Sequence, residues 1–466
     1  MPFSITKSVS IFCAATIIIF AQTLPAYAQS LLRDTEIEET LNEYTDPILR
    51  AADLNPSNVD LYLVNDASLN AFVTRGQNIF LHSGIILQAE TPNQLKGVIA
   101  HEAGHIAGGH IVRSDYGNRS GYGATLIAAG IGLAAILAGE TSAGALVLGG
   151  SQQFGVLEVL AYSRVNESAA DQYAAQYMER TGQSGQGLID FFDKFRAQEV
   201  LSQARRFPYF RGHPLSSDRI DALREKVAES EYTYVKDSED HQHRLDMAKA
   251  KLRGFLEGPQ VVFSKYPPSD TSKPARYARS VAHYKAADLR NAIREIDSLI
   301  EDEPNNPYFY ELKAQILYES GQREKAIEPA TRALDLKPDA PLLKLALAQS
   351  LLETGKVEQV QESIDLLKSG LLEENQNSFM WYTLSRAYGE LGQDALAKYA
   401  IAEQAYAIGD VQRARSFAQR AQEDLPRNGA QWRRASDIIV ISDTELAKSR
   451  SKRRRRKPLT FQVSHK

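Results

Sequence analysis

In the C-terminal half of the chain, apolar and turn-forming positions return at a fixed interval. Ala292 and Ala326, Ile293 and Ile327, Pro304 and Pro338, and Gly321 and Gly355 are each 34 residues apart. That interval fits a unit of two antiparallel helices, and such units bury their apolar faces only by stacking, so a curved α-solenoid is predicted. Gly409 to Pro426 repeats the spacing of Gly321 to Pro338 and marks a further unit. The N-terminal half has no such period. There, Thr91-Pro92 is a helix start, a capping hydroxyl followed by a proline at the first helical position, and Leu95, Val98 and Ile99 give the apolar face of the helix that follows. Asn78 to His82 alternates as a strand after the turn at Gly76, and the alanine-rich stretch 163–171 reads as helix. The expected fold is mainly α with a small β element, followed by the solenoid.

Three further runs are apolar without such a pattern. Val9 to Phe20, between Lys7 and the small-x-small triplet Ala26-Tyr27-Ala28, has the layout of a secretory signal peptide cut after Ala28. Residues 124–137 and 143–150 are each too short to span a bilayer and are separated by Glu140-Thr141-Ser142. They are expected to form a helical hairpin, buried or touching a membrane surface, with glycines that let it move as a gate. The lone cysteine, Cys13, lies in the removed segment, so the mature chain has no disulfide and no thiol ligand.

Charge changes the picture only at the end of the chain. The net charge is −4, but nine basic residues and no acidic ones follow from Lys448 onward, a block expected to be disordered and suited to an anionic lipid surface. The export signal argues against a nucleic-acid partner.

The chemistry centres on residues 101 to 105, His-Glu-Ala-Gly-His. On a helix, His101 and His105 stand one turn apart on one face, where two imidazoles can hold one ion. Glu102 is placed as general base for an attacking water that the ion would acidify. Catalytic zinc takes a third protein ligand. Glu167 is a candidate, with Asp171 one turn further on to accept the outer N–H of a liganding histidine. From these residues alone, a solvated acidic helix face explains Glu167 and Asp171 about as well.

His-Glu-x-x-His followed, after a long insertion, by Glu167-Ser-Ala-Ala-Asp171 resembles the CAAX-prenyl-protease-like zinc metallopeptidases, a gluzincin group, and Arg164 matches the same second motif. The resemblance implies a gluzincin-type domain with one zinc per chain, held by His101, His105 and Glu167, with Asp171 orienting a ligand. Gly212-His213-Pro214-Leu215 is similar to the histidine-proline element of that family. It implies that His213 acts on the metal as a regulatory latch or stabilises the tetrahedral intermediate.

A metallopeptidase joined to tetratricopeptide repeats resembles the periplasmic subgroup of this family. That implies an endopeptidase for unfolded or stalled envelope proteins, engaging outer-membrane assembly machinery through its repeats. A repeat-based chaperone or adaptor with a latent metal site is the competing expectation. Glu102 favours the enzyme, since a retired site needs no general base. The chain is expected to divide into signal peptide 1–28, metallopeptidase domain 29–257, linker 258–276, repeats 277–440 and basic tail 441–466. The linker rests on turn formers from Gly258-Pro259 to Pro274.

Overall fold

The structure is a computed structural model that describes residues 31–74, 76–110, 164–202, 213 and 216–455. The expected signal segment, the apolar pair 124–150 and residues 456–466 of the tail lie outside the described residues. Among those described, no helix is long and apolar enough to cross a membrane.

The N-terminal half packs helices against a four-stranded sheet. Strands β1 (Leu31–Leu32), β2 (Leu61–Val64), β3 (Ala71–Thr74) and β4 (Asn78–His82) are ordered β1-β2-β4-β3. β4 pairs in parallel with β2 and antiparallel with β3. The expected strand at 78–82 is therefore present, but it is an inner strand. With both backbone edges paired it cannot receive an extended substrate, and β3 is the outer strand on that side among the described residues.

Helix α1 (Thr35–Ala51) buries Ile37, Leu41, Tyr44 and Ile48 along one stripe. Short helix α2 (Ser83–Gln88) follows β4, and α3 (Pro92–Ala107) runs through the core with Leu95, Val98 and Ile99 fully buried. Next come α4 (residues 164–180), α5 (Gln186–Ser202), which adds Leu188, Phe191 and Phe192 to this core, and α6 (Ser217–Ala228).

Helix α7 (Glu239–Leu256) belongs to two cores at once. Leu245, Ala248 and Leu252 pack into the N-terminal core, while Met247 packs with Tyr277 and Val281, and Ala250 with Val262, Ala278 and Ala282. The expected linker 258–276 is correspondingly folded. Gly258 and Pro259 start α8 (Pro259–Lys265), Val262 is completely buried, and Ser272 caps α9 (Lys273–Lys285). The turn formers that suggested a linker are helix caps.

The array continues as α10 (Leu289–Asp302), α11 (Pro307–Glu319), α12 (Arg323–Leu336), α13 (Pro341–Leu352), α14 (Val357–Glu373), α15 (Ser378–Glu390), α16 (Asp394–Ala407), α17 (Val411–Asp424) and α18 (Ala430–Arg455). The 34-residue period survives in the backbone, where Ala287, Gly321 and Gly355 all hold positive φ. The longer interval to Gly392 arises because α14 has 17 residues where α12 has 14. Pro329 is buried within α12 without ending it.

The expected disordered tail from 441 begins as ordered helix. Ala435, Ile438 and Ser442 are completely buried on α18, and the helix runs on to Arg455.

Polar contacts tie α1 to the array. Lys251 Nζ, completely buried among α1, α7 and α11, lies 2.6 Å from Asp34 Oδ2, 3.4 Å from Glu36 Oε2 and 3.7 Å from Glu311 Oε2. Tyr277 and Tyr308 donate to Glu36 and Glu39, and Arg33 pairs with Glu374 at 2.7 Å.

Candidate metal centre

Helix α3 begins as its sequence predicts, with Thr91 Oγ1 accepting from Gln94 N–H and Pro92 as first helical residue. Because Leu95, Val98 and Ile99 fix which face enters the core, His101 and His105 emerge together, at 0% and 6% exposure, toward α4. Gly104 sits on the same face. A Cβ there would stand 3.0 Å from Ala170 O and 3.2 Å from Ala170 Cα, so a larger residue would require α4 to give by a few tenths of an ångström.

That approach brings Glu167 and Asp171 to the histidines. Glu167 Oε2 lies 3.4 Å from His101 Nε2, and its Oε1 lies 3.4 Å from His105 Nε2. The two Nε2 atoms are 3.1 Å apart. His213 closes the group, its Nδ1 3.2 Å from His101 Nε2 and 3.0 Å from Glu167 Oε2. All four residues are buried, and one donor atom from each falls within 4.8 Å of the others. Asp171 Oδ1 stands 3.0 Å behind His101, at Nδ1.

These residues fit a metal ion. Bonds of about 2.0–2.1 Å in a tetrahedral site place neighbouring donors about 3.3 Å apart; five of the contacts here lie at 3.0–3.4 Å, and the whole donor set falls within 4.8 Å. Imidazole nitrogens and a carboxylate are the zinc donor set. Glu102 gives independent support. It is fully buried, and neither carboxylate oxygen has a hydrogen-bond partner among the described residues, although His213 Nε2 is 3.6 Å from Oε1. A bare carboxylate buried beside the donor set is what a general base awaiting a proton requires.

The carboxylates draw positive charge into the group. Burial opposes the charged form of His101, yet the Asp171 and Glu167 carboxylates outweigh it and push its pKa up to about 10. Burial opposes charge on Glu167 too, but His101 and His213 hold it well below the usual carboxylate range. Burial raises the pKa of Glu102, making it a stronger base, and lowers that of His105, keeping it neutral and able to ligate.

Two neighbours of the site were not singled out by the sequence. Arg219, in the first turn of α6, grips Asp171 with a fork, Nε to Oδ2 at 2.7 Å and Nη2 to Oδ1 at 2.9 Å, while Nη1 lies 3.3 Å from Glu167 Oε2. Its guanidinium also lies over the Phe192 ring. Sequence showed only an arginine six residues past His213. His110 is the other, with Nδ1 3.0 Å from His105 Nδ1; its only signal was the Gly108-Gly109 pair before it.

Two parts of the chain match known families. Residues 32–227 match peptidase family M48, and residues 277–341 and 313–359 match the tetratricopeptide repeat. The beta-barrel assembly-enhancing protease of Escherichia coli (strain K12) is 24% identical over 368 residues, covering 78% of this chain and 74% of that protein. A putative beta-barrel assembly-enhancing protease of Vibrio cholerae is 25% identical over 388 residues, covering 79% and 78%. Metalloprotease LoiP of Escherichia coli is 29% identical over 178 residues, covering 37% of this chain and 64% of the relative.

Proposed function

We propose that this chain, a zinc metalloendopeptidase whose peptidase family M48 domain is followed by tetratricopeptide repeats, cleaves unfolded or misassembled outer-membrane proteins in the periplasm. The observation that carries the reading is the buried convergence of His101, His105 and Glu167 with the unpartnered Glu102 beside them. The names of the full-length relatives support a role in outer-membrane assembly, and the signal-peptide pattern ending at Ala28 supports export.

In this reading His101, His105 and Glu167 hold one zinc ion per chain. Zinc, when bound, lowers the pKa of water and polarises a carbonyl. Glu102 takes the proton of the attacking water and delivers it to the leaving amine. Asp171 Oδ1, 3.0 Å from His101 Nδ1, favours the proton on that nitrogen so that Nε2 can ligate, and Arg219 fixes Asp171 in turn. The repeats recruit clients and assembly machinery, and the basic end of the chain suits an anionic surface. We read the chain as a peptidase unit followed by repeats, with α7 contributing to both cores.

The position of His213 favours a second activity. With Nδ1 among the donors and Nε2 toward Glu102, it occupies the place a substrate carbonyl or water needs, as a latch would. A chain latched in this way serves as a repeat-based chaperone or adaptor until the histidine leaves.

The test uses the mature chain with casein and with an unfolded outer-membrane protein. Glu102→Gln is expected to bind zinc normally and to lose 10²–10⁴-fold in cleavage. Glu167→Ala is expected to lose both zinc and cleavage. Full zinc affinity and activity in Glu167→Ala overturns the ligand set; cleavage by Glu102→Gln at the wild-type rate removes Glu102 as the base, and a wild type that cleaves neither substrate leaves only the adaptor.

A further inference from the structure

We propose that His110 is a positioning residue of the metal centre, whose ring accepts the Nδ1 proton of His105 and thereby turns Nε2 of His105, unprotonated, toward the ion. The inference rests on the ligand set proposed above and adds to it a residue beyond the four donors.

The local fold is built for this contact. Helix α3 stops at Ala107, and Gly109 then takes φ +65°, a left-handed conformation that folds the chain back over the helix end. Gly108 leaves the room, since a Cβ there would stand 2.4 Å from His110 Nε2. The returning chain buries His110, at 7% exposure, with its ring nearly perpendicular to that of His105 and the two Nδ1 atoms 3.0 Å apart.

Two ring nitrogens at that distance attract each other only if one of them carries a hydrogen. The inner nitrogen of His105 faces His101 Nε2 at 3.1 Å and Glu167 Oε1 at 3.4 Å, so it must present its lone pair to a metal. A neutral imidazole has one N–H, and on His105 it is therefore at Nδ1. His110 Nδ1 is then the acceptor, and its own proton sits on Nε2. One contact thus fixes both tautomers.

The two liganding histidines are backed differently. Behind His101 stands a carboxylate, Asp171, itself clamped by Arg219; behind His105 stands a neutral ring. The outer partners of metal-bound histidines orient the rings, and losing one typically weakens metal binding 10–100-fold.

The test uses the mature chain carrying Glu102→Gln, which suppresses self-digestion, and reads zinc affinity by competition with a chromophoric chelator. His110→Phe keeps a buried ring without an acceptor and is expected to bind zinc 10–100-fold more weakly. His110→Asn restores an acceptor where Nδ1 stood and is expected to recover most of that loss. His105→Ala is the control for the ligand set. If it binds zinc like the parent, the proposed ligands are wrong; if it fails while His110→Phe binds like the parent, the positioning role is wrong. Nitrogen-15 spectra of histidine-labelled, zinc-loaded parent protein give a readout that needs no variant at His110. They should show His105 protonated at Nδ1 and His110 at Nε2, and the opposite tautomer of either ring overturns the proposal even if His110→Phe does not fold.

Discussion

Gly104 faces the backbone of Ala170: a Cβ on Gly104 would stand 3.0 Å from the carbonyl oxygen of Ala170. The glycine between Glu102 and His105 is thus the point where α3 and α4 touch, and Glu167, three residues before Ala170, reaches the histidines because of it. Gly104→Ala is expected to push α4 outward, at a cost of about 1–3 kcal/mol for overpacking. Zinc affinity should fall at least tenfold while helix content stays unchanged. Chelator competition and circular dichroism check this, and unaltered zinc binding would show that α4 yields without moving Glu167.

Arg219 holds two buried carboxylates, Asp171 by a fork and Glu167 at 3.3 Å. Arg219→Ala leaves Asp171 without its guanidinium and is expected to destabilise the fold by about 3–5 kcal/mol. Arg219→Lys should recover only part of this, because an ammonium cannot reproduce the two parallel bonds to Asp171. Chemical denaturation of the zinc-loaded proteins measures the difference.

His213 lies in the donor group with Nδ1 3.0 Å from Glu167. If it closes the site, His213→Ala should retain zinc and bind a hydroxamate inhibitor at least tenfold more tightly, since the inhibitor no longer has to displace an imidazole. Titration calorimetry on the zinc-loaded protein reads this directly. Equal inhibitor affinity in the two proteins counts against the latch.

A pH dependence is expected from the α1–array junction. Burial, only partly offset by Lys251 and reinforced by Asp34, pushes the pKa of Glu311 up to about 7, against 4.5 for a free glutamate. The raised value means that the folded state holds this proton more tightly than the unfolded chain. The resulting stabilisation is complete below about pH 4.5 and is lost as pH rises through about 7. Glu311→Gln cannot ionise and keeps an oxygen for Thr35, so its melting temperature relative to wild type should climb between pH 5 and pH 8. A difference that stays flat across that range means that Glu311 does not titrate there.

How legible was the protein in its sequence? The zinc-helix motif, its cap and its apolar face could all be read before folding, because a helix places residues one turn apart on one side whatever surrounds it. The 34-residue period was equally plain, being the repetition of a local two-helix unit. Strand β4 was visible as a strand, but not its inner position, since alternation says nothing about which strands lie on either side. The turn formers at 258–274 were mistaken for a linker because a capping glycine, serine or proline is the same residue whether the next segment is a loop or a buried helix. Helix α18 extended past the expected start of the tail because burial of Ile438 and Ser442, rather than composition, decides where an array ends.

Arg219 and His110 were invisible for a related reason. Neither stands at a diagnostic spacing from His101 or His105, and each acquires its partner only when a distant helix or a reversed chain end brings it there.

The sequence by itself determined the chemistry that one helix can hold, two imidazoles and a carboxylate at fixed offsets, and the periodic architecture of the repeats. Tertiary structure alone decided that Glu167 and His213 share a space with those imidazoles, that Asp171, Arg219 and His110 stand behind them, and that α7 serves two cores. Backbone geometry fixes neighbours within a few residues. Contacts across tens or hundreds of residues are set by how apolar faces pack and which polar groups that packing forces together.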